Sequence, residues 1–542
     1  MCDSRYSSIL PETNENQITM KFTTSLNQAL KYSFIGIALI SSSLTMAQSQ
    51  DPIVDAIIKE GTSNSQLKTY AFELLDGIGP RLVGTPQMMQ AHNWVKGTYQ
   101  KMGLEARNEA YGTWKAWERG TSQITMTSPR LKSLEGTQLA WSPATKKNGV
   151  EGEVVVLVDA QSKADFEAWL PTVKGKYVMI SQLPPSGRPD YQWKEYATPE
   201  SYEKMKKERE AIEQAWNQRI ANTGYTAKEL PKVLEKAGAA GVVMSFWTGI
   251  MGANRIFGAQ TTQVPTIDIA LEDYGLLYRL AEGGKAPRIN VNVQSKNLGT
   301  AQTYNTIAEL KGTEKADEYV ILSAHLDSWD GGTGATDNGT GIITMMEATR
   351  ILKQVLPNPK RTILIGNWGS EEQGLNGSRA FVADHPELLE KIQVVFNQDN
   401  GTGRIANITG QGFLHAYDFL GRWLSAVPDA YKKDLKTHYP GSPSGGGSDH
   451  VSFVSQDIPG FMMSSLSWGY GNYTWHTNRD TADKIVFDDV QSNAILLAIM
   501  AYKASEEPEL VSREKIVLPT NEKGEQQQWP VSKKPQRNSD QY

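Results

Sequence analysis

The second half of the sequence alternates short apolar stretches with longer amphipathic stretches, and this alternation constrains the fold more than any other feature. The short stretches are rich in β-branched residues and are typical of buried strands. They lie at residues 304–310, 319–324, 362–367, 394–397, 405–409 and 460–464. The amphipathic stretches predict helices at residues 339–354, 374–384, 413–426, 447–455 and 488–504. Strand–helix alternation predicts an α/β fold in which a mostly parallel sheet is covered by helices on both faces.

One predicted strand of this series ends in a group of polar residues. The apolar run Val320–Leu322 leads to His325, and Asp327 follows two residues later. A glycine-rich turn then leads to Asp337, directly before the next predicted helix. In open α/β sheets, ligands bind at the carboxyl ends of the strands. This segment therefore predicts a functional site at the end of the strand.

The length and composition limit the classes of protein that the chain can represent. Its 542 residues exceed what one hydrophobic core usually serves, so we expect two domains or one domain with a large insertion. The formal net charge is −5 and no long basic run occurs, so nothing favours a nucleic-acid partner. Cys2 is the only cysteine, which excludes disulfides and thiol catalysis in the body of the protein.

The N-terminus has the features of a secretory signal peptide. An apolar run at residues 34–44 follows Lys21 and Lys31, and Thr45–Ala47 offers a cleavage site between small residues. The run is too short to span a membrane as an ordinary helix. We therefore expect residues 1–47 to be removed, the mature chain to have no membrane span, and the protein to be exported to the periplasm or the extracellular medium. Translation from Met20 would give a signal peptide of ordinary length; the alternative is a buried N-terminal helix.

Changes in composition along the chain indicate the domain boundaries. Residues 48–127 and 298–513 predict two parts of one main domain, and residues 128–297 predict an α/β domain inserted between them. Residues 185–230 are polar and charged, and predict a helical excursion from the inserted domain. Residues 514–542 form a polar tail rich in Gln, Lys and Pro, which we expect to be extended or disordered.

Acidic and imidazole residues recur at the ends of the predicted strands and in glycine-rich loops. They are His325, Asp327, Asp337, Glu371, Glu372, Asp399 and His476. Each has an ordinary structural interpretation alone, since an Asp before Gly is most often a turn residue and adjacent glutamates suit the first turn of a helix. As a set, in a chain without cysteine ligands, they have the composition of a two-metal hydrolytic site.

The chemistry of such a site explains why these residue types are needed together. Zinc binds imidazole nitrogen and carboxylate oxygen, and a catalytic zinc keeps one position open for water. Two zinc ions need a bridging carboxylate, and a carboxylate that binds neither ion can act as general base. The consecutive Glu371 and Glu372 can divide this work, one binding metal and the other turned to the water.

The motifs that carry these residues resemble those of the co-catalytic zinc exopeptidases, a family that includes secreted bacterial aminopeptidases. The motifs are SAHLDSWDGGTGATDNGTG, NWGSEEQGLNGS, FNQDNGTG, GGGSDHVSF and WHTNRDTADKI, together with GIGPRLVGT at residues 77–85. The resemblance covers most of residues 52–510. It implies the α/β fold of the zinc exopeptidases (phosphorylase/hydrolase-like), with a protease-associated domain as the insertion at residues 128–297.

The resemblance also implies how the site residues divide between two Zn²⁺ ions per chain. His325 and Asp399 would hold one zinc ion. Glu372 and His476 would hold the other, and Asp337 would bridge both ions. This assignment follows from matching each residue to its position in the family motifs.

Two further residues and one peptide bond receive roles from the same resemblance. Glu371 would be the general acid/base. Asp327 would fix the imidazole of His325, the usual arrangement for a metal-bound histidine. The family tends to hold the peptide bond after the bridging aspartate in cis, which here is the bond Asp337–Asn338.

The substrate-binding residues are less clearly defined by the motifs. Relatives commonly stabilise the oxyanion with a Tyr or His close to the last ligand, whereas Trp475 stands directly before His476 here. The candidates for this role are Tyr473, Tyr470 and Asn472. Within the motif SDHVSF, Asp449 and His450 either touch the substrate or cap a helix.

We therefore expect an exported zinc exopeptidase that hydrolyses dipeptides or short peptides, with a homodimer implied by resemblance. The sequence leaves open whether the amino or the carboxyl terminus of the peptide is recognised. A single-zinc acyl-transferring cyclase on the same fold is a second hypothesis, although the full ligand set favours two metals. A non-catalytic receptor on a peptidase fold is a third, and it is disfavoured because such chains lose metal ligands.

Overall fold

A large mixed sheet runs through the computed structural model, which describes residues 51–541. The predicted signal peptide and the start at Met20 lie outside the described residues. The described residues form one compact unit. Within the described part of the chain, every helix is too short or too polar to cross a membrane.

The helices and strands agree closely with the predicted ones from residue 315 onward, and several earlier elements are additional. The α-helices are α1 (Pro52–Ser63), α2 (Leu67–Ala71), α3 (Pro86–Lys101), α4 (Lys163–Trp169), α5 (Asp190–Tyr196), α6 (Pro199–Asn222), α7 (Leu230–Lys236), α8 (Leu271–Glu282), α9 (Thr340–Val355), α10 (Asn376–Asp384), α11 (Pro386–Leu389), α12 (Ala416–Ser425), α13 (Asp429–Lys432), α14 (His450–Val454), α15 (Tyr470–Tyr473) and α16 (Phe487–Glu506). The strands are β1 (Glu105–Ser128), β2 (Lys132–Leu134), β3 (Gly136–Gln138), β4 (Val150–Val156), β5 (Tyr177–Met179), β6 (Gly241–Met244), β7 (Thr266–Ile269), β8 (Arg288–Leu310), β9 (Lys315–His325), β10 (Arg361–Trp368), β11 (Ile392–Asn397), β12 (Ile405–Thr409), β13 (Lys436–His438), β14 (Gly460–Met462) and β15 (Ser464–Ser465).

The main sheet has the strand order β14-β11-β9-β10-β8-β4-β5-β6-β7-β3, with β1 paired to β8 and β2 paired to β1. Strands β10, β9, β11 and β14 pair in parallel, and so do β4 to β7. The expected parallel pairing holds for these strands, but the sheet as a whole is mixed, because β1 and β8 form an antiparallel ribbon that pairs from Glu105↔Glu309 to Ser128↔Arg288. The middle of β8 is exposed on both faces, so it lacks the apolar pattern that predicts a strand.

Helices cover both faces of the first group of parallel strands. Alternate residues of each strand point to opposite faces, so the apolar side chains on each face pack against helices. Val320 and Leu322 of β9 belong to the core beneath α9 and α16. Ile321, between them, packs on the other face with Phe381 of α10 and Phe453 of α14. The central strands are therefore buried on both sides, as their continuous apolar sequence predicts.

The second group of parallel strands, β4 to β7, has cores of its own. Val154, Tyr177 and Val243 pack on one face against α8, while Val178 and Val242 pack on the other against Leu234 of α7. These strands lie within residues 128–297. The identification of that region as a protease-associated domain stays a prediction, as do the domain boundaries.

The polar C-terminal segment is extended and lies against the main domain. The ring of Trp529 packs on Phe413 with 5.8 Å between centroids. Arg537 donates to the backbone carbonyl of Tyr111 at 2.8 Å and pairs with Asp384 at 2.6 Å. The described part of the tail is thus held by specific contacts despite its composition.

Arg81, in the motif GIGPRLVGT, fixes the loop that follows β9. Its side chain is fully buried. Its guanidinium donates to the backbone carbonyls of Leu326 at 2.7 Å, Thr333 at 2.7 Å and Gly334 at 2.8 Å. Burial lowers the pKa of Arg81 to about 10, which leaves the group charged at neutral pH. One side chain therefore holds both ends of the loop that connects His325 to Asp337.

Replacing this arginine tests its contribution to the fold. We expect Arg81→Met to lower the free energy of unfolding by about 3 kcal/mol or more, because three buried carbonyls lose their donor. Urea unfolding of the metal-free protein measures the loss. Arg130→Met, at an exposed position, serves as the control. Equal stability of the two variants would contradict the role assigned to Arg81.

Candidate metal centre

Parallel pairing brings the ends of three strands to one edge of the sheet. β10 and β11 both pair in parallel with β9, and the register places Trp368 beside His325 and Asn397 beside Ser323. The loops that leave these three ends carry five of the seven predicted residues. Asp337 arrives from the loop held by Arg81, and His476 arrives from the loop after α15.

Six of the seven predicted residues form two groups, and within each group the ligand atoms lie within 4.8 Å of one another. The first group is His325, Glu371 and Asp399; the second is Asp337, Glu372 and His476. In the first, Nε2 of His325 lies 3.0 Å from Oδ1 of Asp399. In the second, Nε2 of His476 lies 2.9 Å from Oε2 of Glu372.

Asp337, a member of the second group, lies between the imidazoles of His325 and His476. Its Oδ1 lies 3.5 Å from Nε2 of His325, and its Oδ2 lies 3.3 Å from Nε2 of His476. The two oxygens of one carboxylate thus face the two imidazoles, which is the arrangement that a bridging ligand needs. The bond Asp337–Asn338 is cis, as expected from the family.

The electrostatics of the site favour cations. Burial raises the pKa of Glu371 and of Glu372 well above the ordinary value, and the neighbouring carboxylates raise it further. Burial disfavours the charged form of His325, but Asp399 and Glu371 together raise its pKa well above the ordinary value. Four buried carboxylates therefore share one site, and like charges at this spacing are costly without a counter-charge.

The donor set fits zinc. Oε1 of Glu372 and Oδ2 of Asp337 are buried and have no hydrogen-bond donor among the described residues. Such oxygens are costly unless an ion or a donor meets them. Imidazole nitrogens and carboxylate oxygens, with no thiol, are ligands of catalytic zinc sites.

Asp327 acts differently from the expectation. The group that accepts from Nδ1 of His325, at 3.0 Å, is the backbone carbonyl of Asp327. Its carboxylate oxygen is 3.6 Å from that nitrogen and instead accepts from the backbone N–H of Glu371 at 3.0 Å. The second oxygen accepts from the backbone N–H of Glu372 at 3.2 Å. Asp327 therefore fixes the backbone of the glutamate pair, and orients His325 through its main chain.

Asp480 is a functional residue that the sequence analysis missed. Its carboxylate accepts from the backbone N–H groups of Thr336 at 2.7 Å and Asp337 at 3.0 Å. Burial raises its pKa to about 7. It lies in the motif WHTNRDTADKI, where an Asp before Thr is indistinguishable from a helix cap. The contact to Asp337 depends on the fold and leaves no local signal.

A cavity of about 490 Å³ opens onto both groups. Tyr470, Trp475 and His450 line it, whereas Tyr473 is 42% exposed and lies outside the lining. Asn472 is exposed as well. Of the three candidates for the oxyanion, only Tyr470 reaches the cavity.

The structure separates the neighbours Asp449 and His450. Asp449 is fully buried behind the lining, and burial raises its pKa to about 7. It stands at the N-cap of α14, but its side chain makes no capping hydrogen bond. His450 faces the cavity with both ring nitrogens unpartnered among the described residues, and burial lowers its pKa to about 4. A neutral imidazole is thus available at the cavity wall.

The far wall of the cavity contains residues that the sequence analysis did not select. They are Asn400, Thr409, Gln411, Ser444, Gly446, Gly447, Met462 and Ser464. Most come from the small sheet β13-β12-β15 and from the glycine-rich loop before α14. Neutral residues of these types carry no chemical signature, and only the loop's glycines could have indicated them.

Comparisons with known proteins agree with this geometry. Residues 305–500 match the model of Peptidase family M28. Carboxypeptidase Q from Mus musculus is 26% identical over 444 residues, covering 81% of this chain and 86% of that protein. Carboxypeptidase Q from Homo sapiens is 26% identical over 442 residues, covering 81% and 85%. The sequence motifs are also similar to those of carboxypeptidase Q.

Solved structures share the fold. A Peptidase M28 precursor from Shewanella amazonensis has a TM-score of 0.64 at 24% identity, covering 86% of this chain and 98% of that one. BSAP, a zinc aminopeptidase from Bacillus subtilis, has a TM-score of 0.52 at 20% identity, covering 83% and 97%. The family match and the curated relatives support the expectation of a metallo-exopeptidase. Residues 305–500, which carry most of the site, thus match a Peptidase family M28 domain.

Proposed function

We propose that the protein is an exported, zinc-dependent exopeptidase that hydrolyses dipeptides or short peptides. The observation that carries this proposal is Asp337, whose two oxygens face the imidazoles of His325 and His476. The apolar run at residues 34–44 supports export. Carboxypeptidase Q and a zinc aminopeptidase among the similar proteins agree with the reaction class.

The ligand assignment follows the family motifs, and the positions of the two Asp337 oxygens support it. His325 and Asp399 would hold one zinc ion, Glu372 and His476 the second, and Asp337 both. Zinc bound there would polarise the scissile carbonyl and lower the pKa of the attacking water. The side chains of His325, Asp337 and Asp399 are buried, which strengthens the charge interactions among them.

Glu371 moves the proton in this proposal. Asp327 holds its backbone N–H, so the carboxylate projects into the cavity beside His325 and Asp399. Its raised pKa suits a base that must also release the proton. Glu371 takes the proton from the attacking water as the carbon–oxygen bond forms, and delivers it to the amine nitrogen as the peptide bond breaks. Tyr470 and His450 are the cavity residues best placed to donate to the developing oxyanion.

The lining favours recognition of the amino end of the peptide. Four of its residues are acidic and none is Lys or Arg. A substrate carboxylate therefore finds no cationic side chain in the lining, whereas a free amine can donate to the side-chain oxygens of Asn400, Gln411 and Ser444. We accordingly place the aminopeptidase or dipeptidase specificity ahead of the carboxypeptidase specificity.

Blocked dipeptides test the function and its direction together. We expect the zinc-loaded protein to cleave the unblocked dipeptide and the C-amidated one, and to lose activity on the N-acetylated one. Loss on the amidated peptide alone would contradict amine recognition and favour a carboxypeptidase. Cleavage of none of them by protein that contains zinc would contradict the peptidase function.

Glu371→Gln tests the base. We expect kcat to fall by about 10²–10⁴-fold, because the amide cannot accept the proton, while zinc content stays unchanged. Steady-state kinetics and metal analysis measure the two effects. Glu390→Gln is the control, since that side chain is 92% exposed. Substantial activity in the Glu371 variant would show that another group is the base.

Metal content tests the two-ion assignment. We expect two zinc ions per chain in the wild-type protein, one in His476→Gln, and weakened binding at both positions in Asp337→Asn. Mass spectrometry of metals in the purified, dialysed proteins measures this. His438→Gln, at an exposed histidine, should keep both ions. A wild-type value of one would favour the single-zinc cyclase instead.

A further inference from the structure

Residues 254–257, which lie in the predicted insertion, are hydrogen-bonded to the loop that carries His476. The backbone N–H of Ile256 donates to the carbonyl of His476 at 2.8 Å. Asn254 and Asn478 exchange two bonds at 2.9 Å, one from each backbone N–H. An antiparallel bridge joins Arg255 to Thr477. The ligand loop is thus tied to a segment more than two hundred residues earlier in the chain.

The imidazole of His476 lies among aromatic rings. Phe257, from the same segment, meets it edge-on, with 5.2 Å between centroids and 80° between planes. Trp475 stacks on it at 3.9 Å and 29°, and Trp329 lies at 5.8 Å. Phe257 also contacts Trp329 at 5.7 Å and Trp475 at 6.2 Å. Phe257 therefore touches the imidazole and both of the other rings.

The two histidines of the site are oriented by different means. Metal-binding histidines almost always donate their second ring nitrogen to a carbonyl, carboxylate or water. His325 does so, since its Nδ1 donates to the carbonyl of Asp327. Nδ1 of His476 is buried and has no hydrogen-bond partner among the described residues. Its ring orientation therefore depends on packing.

We propose that Phe257 is a positioning residue for His476, and that the insertion thereby controls zinc affinity at the group of Asp337, Glu372 and His476. This inference rests on the proposed metal centre. The edge of Phe257 fixes the rotation of the imidazole, so Nε2 stays aimed at Glu372 and Asp337. The group around His325, which has its own hydrogen bond, does not depend on the insertion in this way.

The test measures metal retention, with no need for activity. Phe257→Leu, which keeps most of the volume and removes the ring, should release one of the two zinc ions at about tenfold lower concentration of dipicolinic acid than the wild-type protein. The second ion should leave at the wild-type concentration. The cobalt-substituted protein should show the same change in its visible spectrum as His476→Gln, in weaker form. Phe257→Tyr, which keeps the ring, should restore retention.

The matched control is Phe246→Leu, because that ring contacts Phe257 with 5.2 Å between centroids. It should retain both ions like the wild type. Equal retention in Phe257→Leu and the wild type would overturn the proposal, and so would equal loss in the Phe246 and Phe257 variants. Wild-type protein that binds no zinc would instead overturn the proposed function itself.

Discussion

The crowding of carboxylates in a buried cavity is the interaction on which the rest of this structure depends. Asp337, Glu371, Glu372 and Asp399 converge on this cavity, and burial raises the pKa of Glu371 and of Glu372 well above the ordinary value. Such a group persists only with rigid support and a cation to complement it. Arg81, Asp327 and Asp480 supply the rigid support, each through hydrogen bonds to the backbone beside a site residue. The fold thus fixes the positions of the carboxylates, and a bound cation would neutralise their charge.

The residues that bind and react could be predicted from the sequence because their chemistry is local. His325 ends an apolar run, and Glu371 and Asp399 follow two others, so the strand ends could be recognised without the fold. Parallel pairing then brings those ends together. The family motifs divided the ligands between two ions. The structure brings the same residues together, with Asp337 beside Glu372 and His476 and with Glu371 beside His325 and Asp399.

The supporting residues could not be predicted because their contacts join distant parts of the chain. Asp480 and Arg81 are ordinary polar residues until the fold places them against residues 326–337. Tyr473 and Tyr470 differ by three positions in one short helix, and only its orientation decides that Tyr470 faces the cavity. The ribbon of β1 and β8 escaped prediction for another reason: much of it is solvated, so no apolar alternation marks it.

That ribbon has a consequence for how the molecule can come apart. β1 has 24 residues and β8 has 23, which at about 3.3 Å per residue gives paired strands some 75–80 Å in contour length. Their two ends belong to different hydrophobic cores, yet the hydrogen-bonded ladder between them is shared. A protease that cuts between the predicted domains must therefore break a strand and not a linker. The regions at the two ends of the ribbon therefore share one set of strand pairings. A fragment made from either region would expose backbone N–H and C=O groups that are paired in the whole protein.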